Sequence, residues 1–301
     1  MPSRETVLIT GAGGVGRLVI EDLCTHDVPV RVMVRRDDER AAEFSRFGAD
    51  VVLGDLTRPE TVAVGLRDVG RMYFAMPVSR DHLLAATVVA SVAKECGTLD
   101  ALVGMSQMTV SQMTATSTDE SHQQRLHWLA EQVLNWSGLP VIHIRPTSFL
   151  DNPLFTSAAA QSIKRDGTLA LPFGAGRTSP VAVSDVARVA ATVLRDPPGH
   201  IGNVYELTGP RTMDMEELAE SFSRALGRPI TYADVPLEQW RAQVLAGLGL
   251  PQHIEEHIVT MCRLHQANRY DRATDDVARL TGIPAQTIEQ FVSDRKGLYV
   301  D

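Results

Sequence analysis

The sequence predicts an α/β fold in which a doubly wound parallel sheet is followed by a smaller, mostly helical C-terminal domain. Short apolar runs alternate with helical patterns through the first half of the chain, and a glycine-rich turn joins the first run to the first helix. After Met213 the patterns are mainly helical. The 301 residues are enough for one large domain or two modest ones.

Six apolar runs in the first half have the length of buried strands, and helical patterns separate them. The predicted strands cover residues 7–10, 30–34, 50–53, 71–76, 101–106 and 141–146. One helix is predicted directly after the glycine turn. Further helices are predicted at residues 38–47, 59–68 and 82–96 and in a segment that ends at Trp136. Residues 106–121 are predicted to form a polar loop. Because parallel sheets of this kind bind ligands at the carboxyl ends of their strands, functional residues are expected there.

The second half of the chain is more varied. Residues 180–187 predict an extended segment that leads into a helix capped at Ser184 or Asp185. Residues 203–207 predict a strand, and residues 216–226, 237–245, 253–265 and 285–296 predict helices. A short helix and a turn rich in glycine and proline are expected between Asn152 and Arg177.

The most specific motif follows the first predicted strand and opens the first helix, and it reads Gly11-Ala12-Gly13-Gly14-Val15-Gly16. In this context it predicts a Rossmann-type dinucleotide site. Gly11 would permit the tight turn, Gly13 the close approach of a pyrophosphate, and Gly16 the packing of the helix on the strand. The free N–H groups at the start of the helix would bind the phosphates. The alternative is a purely structural turn in another α/β protein.

The residue after the second predicted strand indicates which dinucleotide is bound. An Asp or Glu there binds the ribose hydroxyls of NAD, whereas this chain has Arg35 followed by Arg36. A guanidinium can form two hydrogen bonds to a 2′-phosphate and stack on adenine. The alternative is that both arginines are surface charges neutralised by Asp37 and Asp38. We therefore expect NADP(H) as the cofactor, with NAD(H) less favoured.

Composition and charge narrow the remaining possibilities. The net charge of −8 argues against nucleic acid or an anionic membrane as the main partner, and no apolar segment reaches the length of a membrane span. Three widely separated cysteines indicate reduced thiols and a cytoplasmic protein. The pattern His253-x-x-Glu256-His257 resembles a zinc motif, but it has no clear third ligand. We interpret it as a solvated helix face and expect no metal.

Several further segments occur in a fixed order along the chain. They are Val34-Arg35, Gly54-Asp55-Leu56, residues 137–140, residues 144–152, residues 180–187 and residues 207–210. Together with the glycine turn they resemble the NmrA-like branch of the atypical short-chain dehydrogenases/reductases over nearly the whole chain. The resemblance implies NAD(P)H binding. Members are either reductases of quinone-like or dye-like electrophiles, or regulators that sense the redox state of the cofactor.

The resemblance and the strand ends together predict a set of cofactor-contacting residues. Besides the six residues of the glycine turn, the set contains Arg35, Asp55, Leu56, Met76, Pro77, Ser106, His127 and Pro146. Residues 1–152, with residues 178–210 returning to them, are expected to form the NAD(P)-binding domain. Residues 153–177 and 211–301 would form the smaller substrate or partner domain. The glycine turn is one residue shorter than the family's usual T-G-A-T-G-x-x-G.

A larger departure from the family lies at its catalytic pair, Tyr-x-x-x-Lys, which falls on Gln123 and His127. Glutamine cannot donate a proton as an acid, so ordinary ketone reduction is not expected. His127 could donate a proton or hold a ribose hydroxyl, or it could simply be a structural histidine. Ser106 occupies the family's serine position and could bind a substrate oxygen. Quinones suit these residues better, because the charge that arrives with hydride spreads over the ring.

Two functions remain open at this point. The first is an NADPH-dependent reductase of a quinone-like or similar small electrophile, assisted by His127 and Ser106. The second is a non-catalytic NADP(H)-binding redox sensor whose C-terminal helices bind a protein partner. The missing Tyr-Lys pair favours the sensor, whereas the acidic chain without an evident partner-binding tail favours the reductase. We expect the reductase, with a small-molecule substrate; the oligomeric state is not predicted.

Overall fold

The computed structural model describes residues 5–300, so the ends of the two expected domains, residues 1–4 and 301, lie outside it. The first half of the chain alternates strands and helices as predicted. Its strands are β1 (Val7–Ile9), β2 (Val30–Val34), β3 (Asp50–Leu53), β4 (Arg71–Phe74), β5 (Ala101–Met105) and β6 (Val141–Pro146). Its helices are α1 (Gly14–Thr25), α2 (Glu39–Arg46), α3 (Pro59–Gly65), α4 (His82–Cys96) and α5 (His122–Trp136).

These strands form most of a seven-stranded sheet. Along the chain, β7 (Thr168–Leu171) comes before β8 (Val204–Leu207), and β8 completes the large sheet in the order β3-β2-β1-β4-β5-β6-β8. The pairs from β3 across to β6 are all parallel. Strand order reverses between β1 and β4, which is the switch point where doubly wound sheets bind ligands. The predicted doubly wound parallel sheet is therefore confirmed.

Burial explains why the central strands read as continuous apolar runs. All three residues of β1 are fully buried, and α1 packs Val19, Ile20 and Leu23 inward. Burying a side chain of this size contributes about 1.5–3 kcal/mol. The edge strand β3 is only partly covered, and its last residue, Leu53, is exposed.

The chain divides into two compact units. The first contains the described residues up to Val110 together with Gln123–Arg145 and Val186–Tyr205. The second contains Ser111–His122, Pro146–Asp185 and the residues from Glu206 onward. Four segments that the sequence analysis expected in the NAD(P)-binding domain lie in the second unit instead. They are residues 111–122, 146–152, 178–185 and 206–210.

The second unit is mainly helical, but it also contains a small sheet that the sequence did not reveal. Strand β7 pairs in parallel with β9 (Thr231–Asp234), and each has only four residues, too few for a clear periodicity. The helices are α6 (Ala160–Asp166), α8 (Met215–Leu226), α9 (Leu237–Trp240), α10 (Gln252–Gln266), α11 (Asp276–Thr281) and α12 (Ile288–Asp294). The apolar faces of α6, α8, α9, α10 and α12 meet in a core that contains Trp240, Phe222 and Phe291.

One predicted helix start is wrong. Helix α7 (Val183–Arg195) begins before Ser184 and Asp185, so neither residue precedes it as a cap. Instead, the backbone N–H of Val183 donates to the carboxylate of Asp151, 2.9 Å away. This partner is 32 positions distant in the sequence, so no local pattern could have indicated it.

Within residues 5–300, none of the helices is both long enough and apolar enough to span a lipid bilayer.

Candidate functional site

The glycine turn is held against the end of β4. Gly11 has φ +63°, in the left-handed region, and a Cβ there would lie 2.5 Å from the carbonyl oxygen of Ala75. The hydroxyl of Thr10 lies 3.0 Å from the same carbonyl oxygen and accepts a hydrogen bond from Ala75 N at 3.1 Å. Both the backbone conformation and the close approach require glycine at position 11.

The other glycines of the turn differ in what surrounds them. A Cβ on Gly16 would lie 2.5 Å from the Gly11 carbonyl oxygen, so the first turn of α1 packs directly on the loop. Gly13 is the residue before α1, is exposed, and a Cβ there would meet nothing within 4 Å. Gly14 is also exposed, whereas Ala12 and Val15 are partly exposed. The open space at Gly13 is therefore compatible with the expected approach of a phosphate group to the backbone.

The start of α1 suits an anion. No side chain caps this helix end, and the helix has no acidic residue in its first turn. Unpaired N–H groups at a helix N-terminus carry a partial positive charge and bind phosphate oxygens. The turn between β1 and α1 thus fits the pyrophosphate of a dinucleotide.

Arg35 is exposed immediately after β2, and within residues 5–300 it forms no ion pair. Asp38 does not neutralise it, because the Asp38 carboxylate caps α2 and pairs with Arg40 at 2.7 Å. The pKa of Asp55, after β3, is lowered by hydrogen bonds from Thr57 and by the positive charge of Arg35. Arg35 thus supplies a positive charge at the carboxyl ends of β2 and β3, which fits a 2′-phosphate.

The remaining predicted cofactor residues lie at strand ends with different exposures. Leu56 and Met76 are partly buried and pack against the core of the first unit. Pro77 is exposed, and Pro146 is buried at the end of β6. Asp55 binds the backbone N–H and the hydroxyl of Thr57, so its carboxylate shapes the loop after β3.

Ser106 and His127 are brought together at a small cavity in the first unit. The cavity is lined by Phe74, His82, Gly104, Met105, Ser106, His127, Ala130, Glu131, Leu134 and His143. Ser106 directly follows β5, and its N–H donates to Ile144 O at 2.8 Å, which fixes its backbone. His127 is half-buried on α5. The cavity lies toward the carboxyl ends of β4 and β5.

Two of the lining residues, His82 and His143, were missed in the sequence analysis. The ring of His82, at the start of α4, lies 4.1 Å from that of His127, and burial lowers the pKa of His82 to about 4. His143, in β6, is bound through Nε2 to Asn135 Oδ1 at 2.8 Å, and burial also lowers its pKa. In the sequence, only the position of His82 after β4 indicated a residue near the site. No sequence spacing connects His82 with His143 or with His127.

A buried ion pair borders the same cavity. Arg145 donates two hydrogen bonds to the carboxylate of Glu131, at 2.9 and 2.5 Å, and the Glu131 side chain is 3% exposed. This bidentate geometry joins α5 to β6 and fixes the face of α5 that carries His127.

Gln123, the residue expected at the position of the family's tyrosine, has a structural contact. It is buried, and its Oε1 accepts a hydrogen bond from the backbone N–H of Ser79 at 3.1 Å. The side chain therefore connects the loop after β4 to α5. An amide in this position cannot supply a proton to a substrate.

The interpretation of His253 and His257 as a solvated face is wrong for His257. That side chain is buried, and its Nδ1 lies 2.8 Å from Ser121 Oγ. In the described part of the chain, no cluster of three or more His, Cys, Asp or Glu residues is arranged to hold a metal ion.

Comparison with known proteins agrees with this architecture. The NAD(P)H azoreductase of Xenophilus azovorans is 29% identical over 287 residues, which are 95% of this chain and 96% of the relative. An NADPH-dependent quinone oxidoreductase from Escherichia coli, crystallised with NADPH, superimposes with a TM-score of 0.82 at 22% identity, covering 96% of this chain and 99% of that one.

A regulatory protein has the same fold. NmrA, a negative transcriptional regulator crystallised with NADP, gives a TM-score of 0.80 at 18% identity, with 96% of this chain and 94% of that chain covered. Residues 3–295 match the profile of the NmrA-like family. The chain therefore belongs to the NmrA-like family.

Proposed function

We propose that this protein is an NADPH-dependent reductase that transfers hydride to a quinone-like or similarly electrophilic small molecule. The observation that carries the proposal is the cavity where Ser106 and His127 meet at the carboxyl edge of the sheet. Only β4 separates β1 from β5, so the glycine turn and Ser106 follow strands about 10 Å apart. This arrangement suits a dinucleotide whose phosphates lie at the turn and whose nicotinamide lies near Ser106.

The glycine turn and Arg35 would bind the cofactor, whereas Ser106 and His127 would act on the acceptor. Gly13 and the start of α1 would bind the pyrophosphate, and Arg35 would bind the 2′-phosphate of NADPH. NADPH supplies hydride when it is bound. Ser106 would hydrogen-bond the oxygen of the acceptor, and His127 would assist protonation. The azoreductase that aligns along 95% of this chain acts with the same cofactor class.

We infer the nature of the acceptor from Gln123, the residue expected where the family has its tyrosine. Gln123 is engaged with Ser79 N and cannot protonate an alkoxide. General acid assistance contributes about a hundredfold to ten-thousandfold in rate, so substrates that form alkoxides lose most without it. Quinones and azo compounds spread the arriving charge over a conjugated system. They should be reduced, while simple ketones should not.

NADPH consumption by the purified protein tests this proposal. Menadione, 1,4-benzoquinone and an azo dye such as methyl red should oxidise NADPH, whereas acetone and cyclohexanone should not. Tight NADPH binding without turnover on any quinone, azo dye, imine or enone would instead favour a redox sensor. That second function is supported by the buried structural role of Gln123.

The role of His127 has its own test. If His127 assists protonation, His127→Ala should lower kcat while NADPH affinity stays nearly unchanged. The wild-type rate should also fall with rising pH, and the variant should lack this step. If NADPH affinity falls and the pH profile is unaltered, then His127 holds the ribose instead.

A further inference from the structure

Three buried polar atoms border the same cavity without a hydrogen-bond partner in the described part of the chain. They are Ser106 Oγ, His82 Nδ1 and His143 Nδ1. The three residues are 6%, 1% and 3% exposed, respectively. Buried polar groups in proteins are nearly always hydrogen-bonded, so three unpaired atoms around one small space indicate a shared partner.

The size of the space and the chemistry of its walls limit what that partner can be. The cavity has room for about one water molecule, and a buried water typically forms two to four hydrogen bonds. Asn135 Oδ1 accepts from His143 Nε2, so Nε2 carries the proton and His143 Nδ1 is an acceptor. Ser106 can donate or accept. A water molecule can therefore donate to His143 and pair with Ser106.

One of the rings that line the cavity is partly exposed to solvent. His127 is half-buried, whereas His82 beside it is fully buried, and the two rings lie 4.1 Å apart at an interplanar angle of 46°. Both rings line the cavity. The two rings thus place exchangeable protons side by side between the half-buried His127 and the cavity.

We propose that the cavity binds one water molecule, and that this water and the His82–His127 pair deliver the proton that completes reduction of the acceptor. The second part rests on the reductase function proposed above. In this proposal, His143 holds the water in place and His82 connects the water to His127.

The step balances in atoms and charge. A quinone that has received hydride from NADPH is a hydroquinone monoanion, and it needs one proton. The cavity water gives that proton and is reprotonated through His82 and His127, and His127 takes a proton from solvent. In total, one quinone, one NADPH and one proton give one hydroquinone and one NADP⁺.

The surroundings of His82 favour transfer of a proton through its ring over retention of a proton on it. Burial lowers the pKa of His82 to about 4, so at neutral pH the ring has one N–H and one free lone pair. Such a ring can take a proton on one nitrogen and give one from the other. The charged groups nearby are Glu131, which lines the cavity, and Arg145, which is bound to it. The titratable lining residues besides these are His127 and His143.

The water site can be tested without cofactor or turnover. A methyl group at residue 104 would lie 3.4 Å from His143 Nδ1 and 3.5 Å from Leu134, so Gly104→Ala should fill the cavity without a clash. Nuclear Overhauser contacts in the cofactor-free wild type should show a bound water near the Gly104 amide, and imidazole ¹⁵N shifts should show His143 protonated at Nε2. The Gly104→Ala protein should fold and lose the water contact. Absence of a bound water in wild type, or its persistence in Gly104→Ala, overturns the water site.

Kinetics test the proton path. His82→Gln should lower kcat with menadione by about tenfold to hundredfold, leave the KM for NADPH unchanged, and increase the solvent deuterium isotope effect. Gly104→Ala changes no titratable group and should show the same pattern. His257→Gln is the matched control, because His257 is also buried with its pKa lowered to about 4 but does not line the cavity.

The outcomes separate this inference from the proposed function. Wild-type kcat and isotope effect in both His82→Gln and Gly104→Ala would overturn the proton path while leaving the reductase intact. No turnover by the wild type with any acceptor would remove the reductase and the proton path together. The spectroscopic result would still decide the water site by itself.

Discussion

The glycine turn and the polar cavity both lie toward the carboxyl ends of the strands, but they are constructed in different ways. At the turn, Gly11 and Gly16 are required by backbone atoms of the same loop and of the neighbouring strand end. At the cavity, side chains from β4, β5, β6, α4 and α5 converge, and an ion pair between Glu131 and Arg145 fixes two of these elements. The turn depends on the backbone path, whereas the cavity depends on side-chain contacts that cross the fold.

The largest expected effect concerns the ion pair beside the cavity. Glu131→Ala removes a 3% exposed carboxylate that accepts two hydrogen bonds from Arg145, and we expect a loss of about 3–5 kcal/mol in the free energy of unfolding. Glu60→Ala is the control, because Glu60 and Arg58 are both more than 60% exposed and should contribute at most about 1 kcal/mol. Urea denaturation measures both. Equal small losses would mean that the Glu131–Arg145 pair contributes no more to stability than an exposed ion pair.

The next prediction distinguishes a glycine that the backbone of the turn requires from a glycine that cofactor binding requires. Gly11→Ala combines a left-handed φ with a Cβ placed 2.5 Å from a backbone oxygen, so we expect about 2–5 kcal/mol of destabilisation. Gly13→Ala meets only open space and should leave stability nearly unchanged while weakening NADPH binding. Thermal denaturation and cofactor titration separate the two. If Gly13→Ala binds NADPH normally, the phosphates do not approach that residue.

A third prediction uses pH to probe the cavity. The pKa of His82 is lowered from 6.5 to about 4 in the folded protein, so the unfolded chain takes up a proton first as the pH falls. The contribution of His82 to the free energy of unfolding should therefore decrease between about pH 6.5 and 4, by up to about 3 kcal/mol. His257 and His265 act in the same direction, so the test is the difference between wild type and His82→Phe. Parallel stability–pH curves for the two proteins would show that His82 is not desolvated.

The smallest effect concerns cofactor choice at the end of β2. Arg35→Asp should weaken NADPH binding roughly a hundredfold and NADH binding much less, because only NADPH has the 2′-phosphate. Arg36→Asp, at the adjacent exposed residue, makes the same charge change and should have less effect. Fluorescence titration with both cofactors gives the ratio. Equal, small changes for NADPH and NADH would reduce Arg35 to a surface charge.

Much of the first unit could be predicted from the sequence, because its signals are local. Strands β2, β3 and β6 and helix α4 have the bounds expected from their apolar patterns. Gly11 has the positive φ that a tight turn requires. The second unit was harder to predict, since β7 and β9 are four residues each and pair across about 60 residues of sequence.

By itself, the sequence determined the doubly wound sheet, the glycine turn and the position of Arg35, because each depends on neighbouring residues and on the regular periods of strands and helices. Only the tertiary structure decided that Ser106 and His127 share a cavity with His82 and His143, and that Gln123 is bound to Ser79 N. These contacts join residues that lie far apart in the chain. Their formation depends on how helices pack against the sheet, which no local pattern encodes.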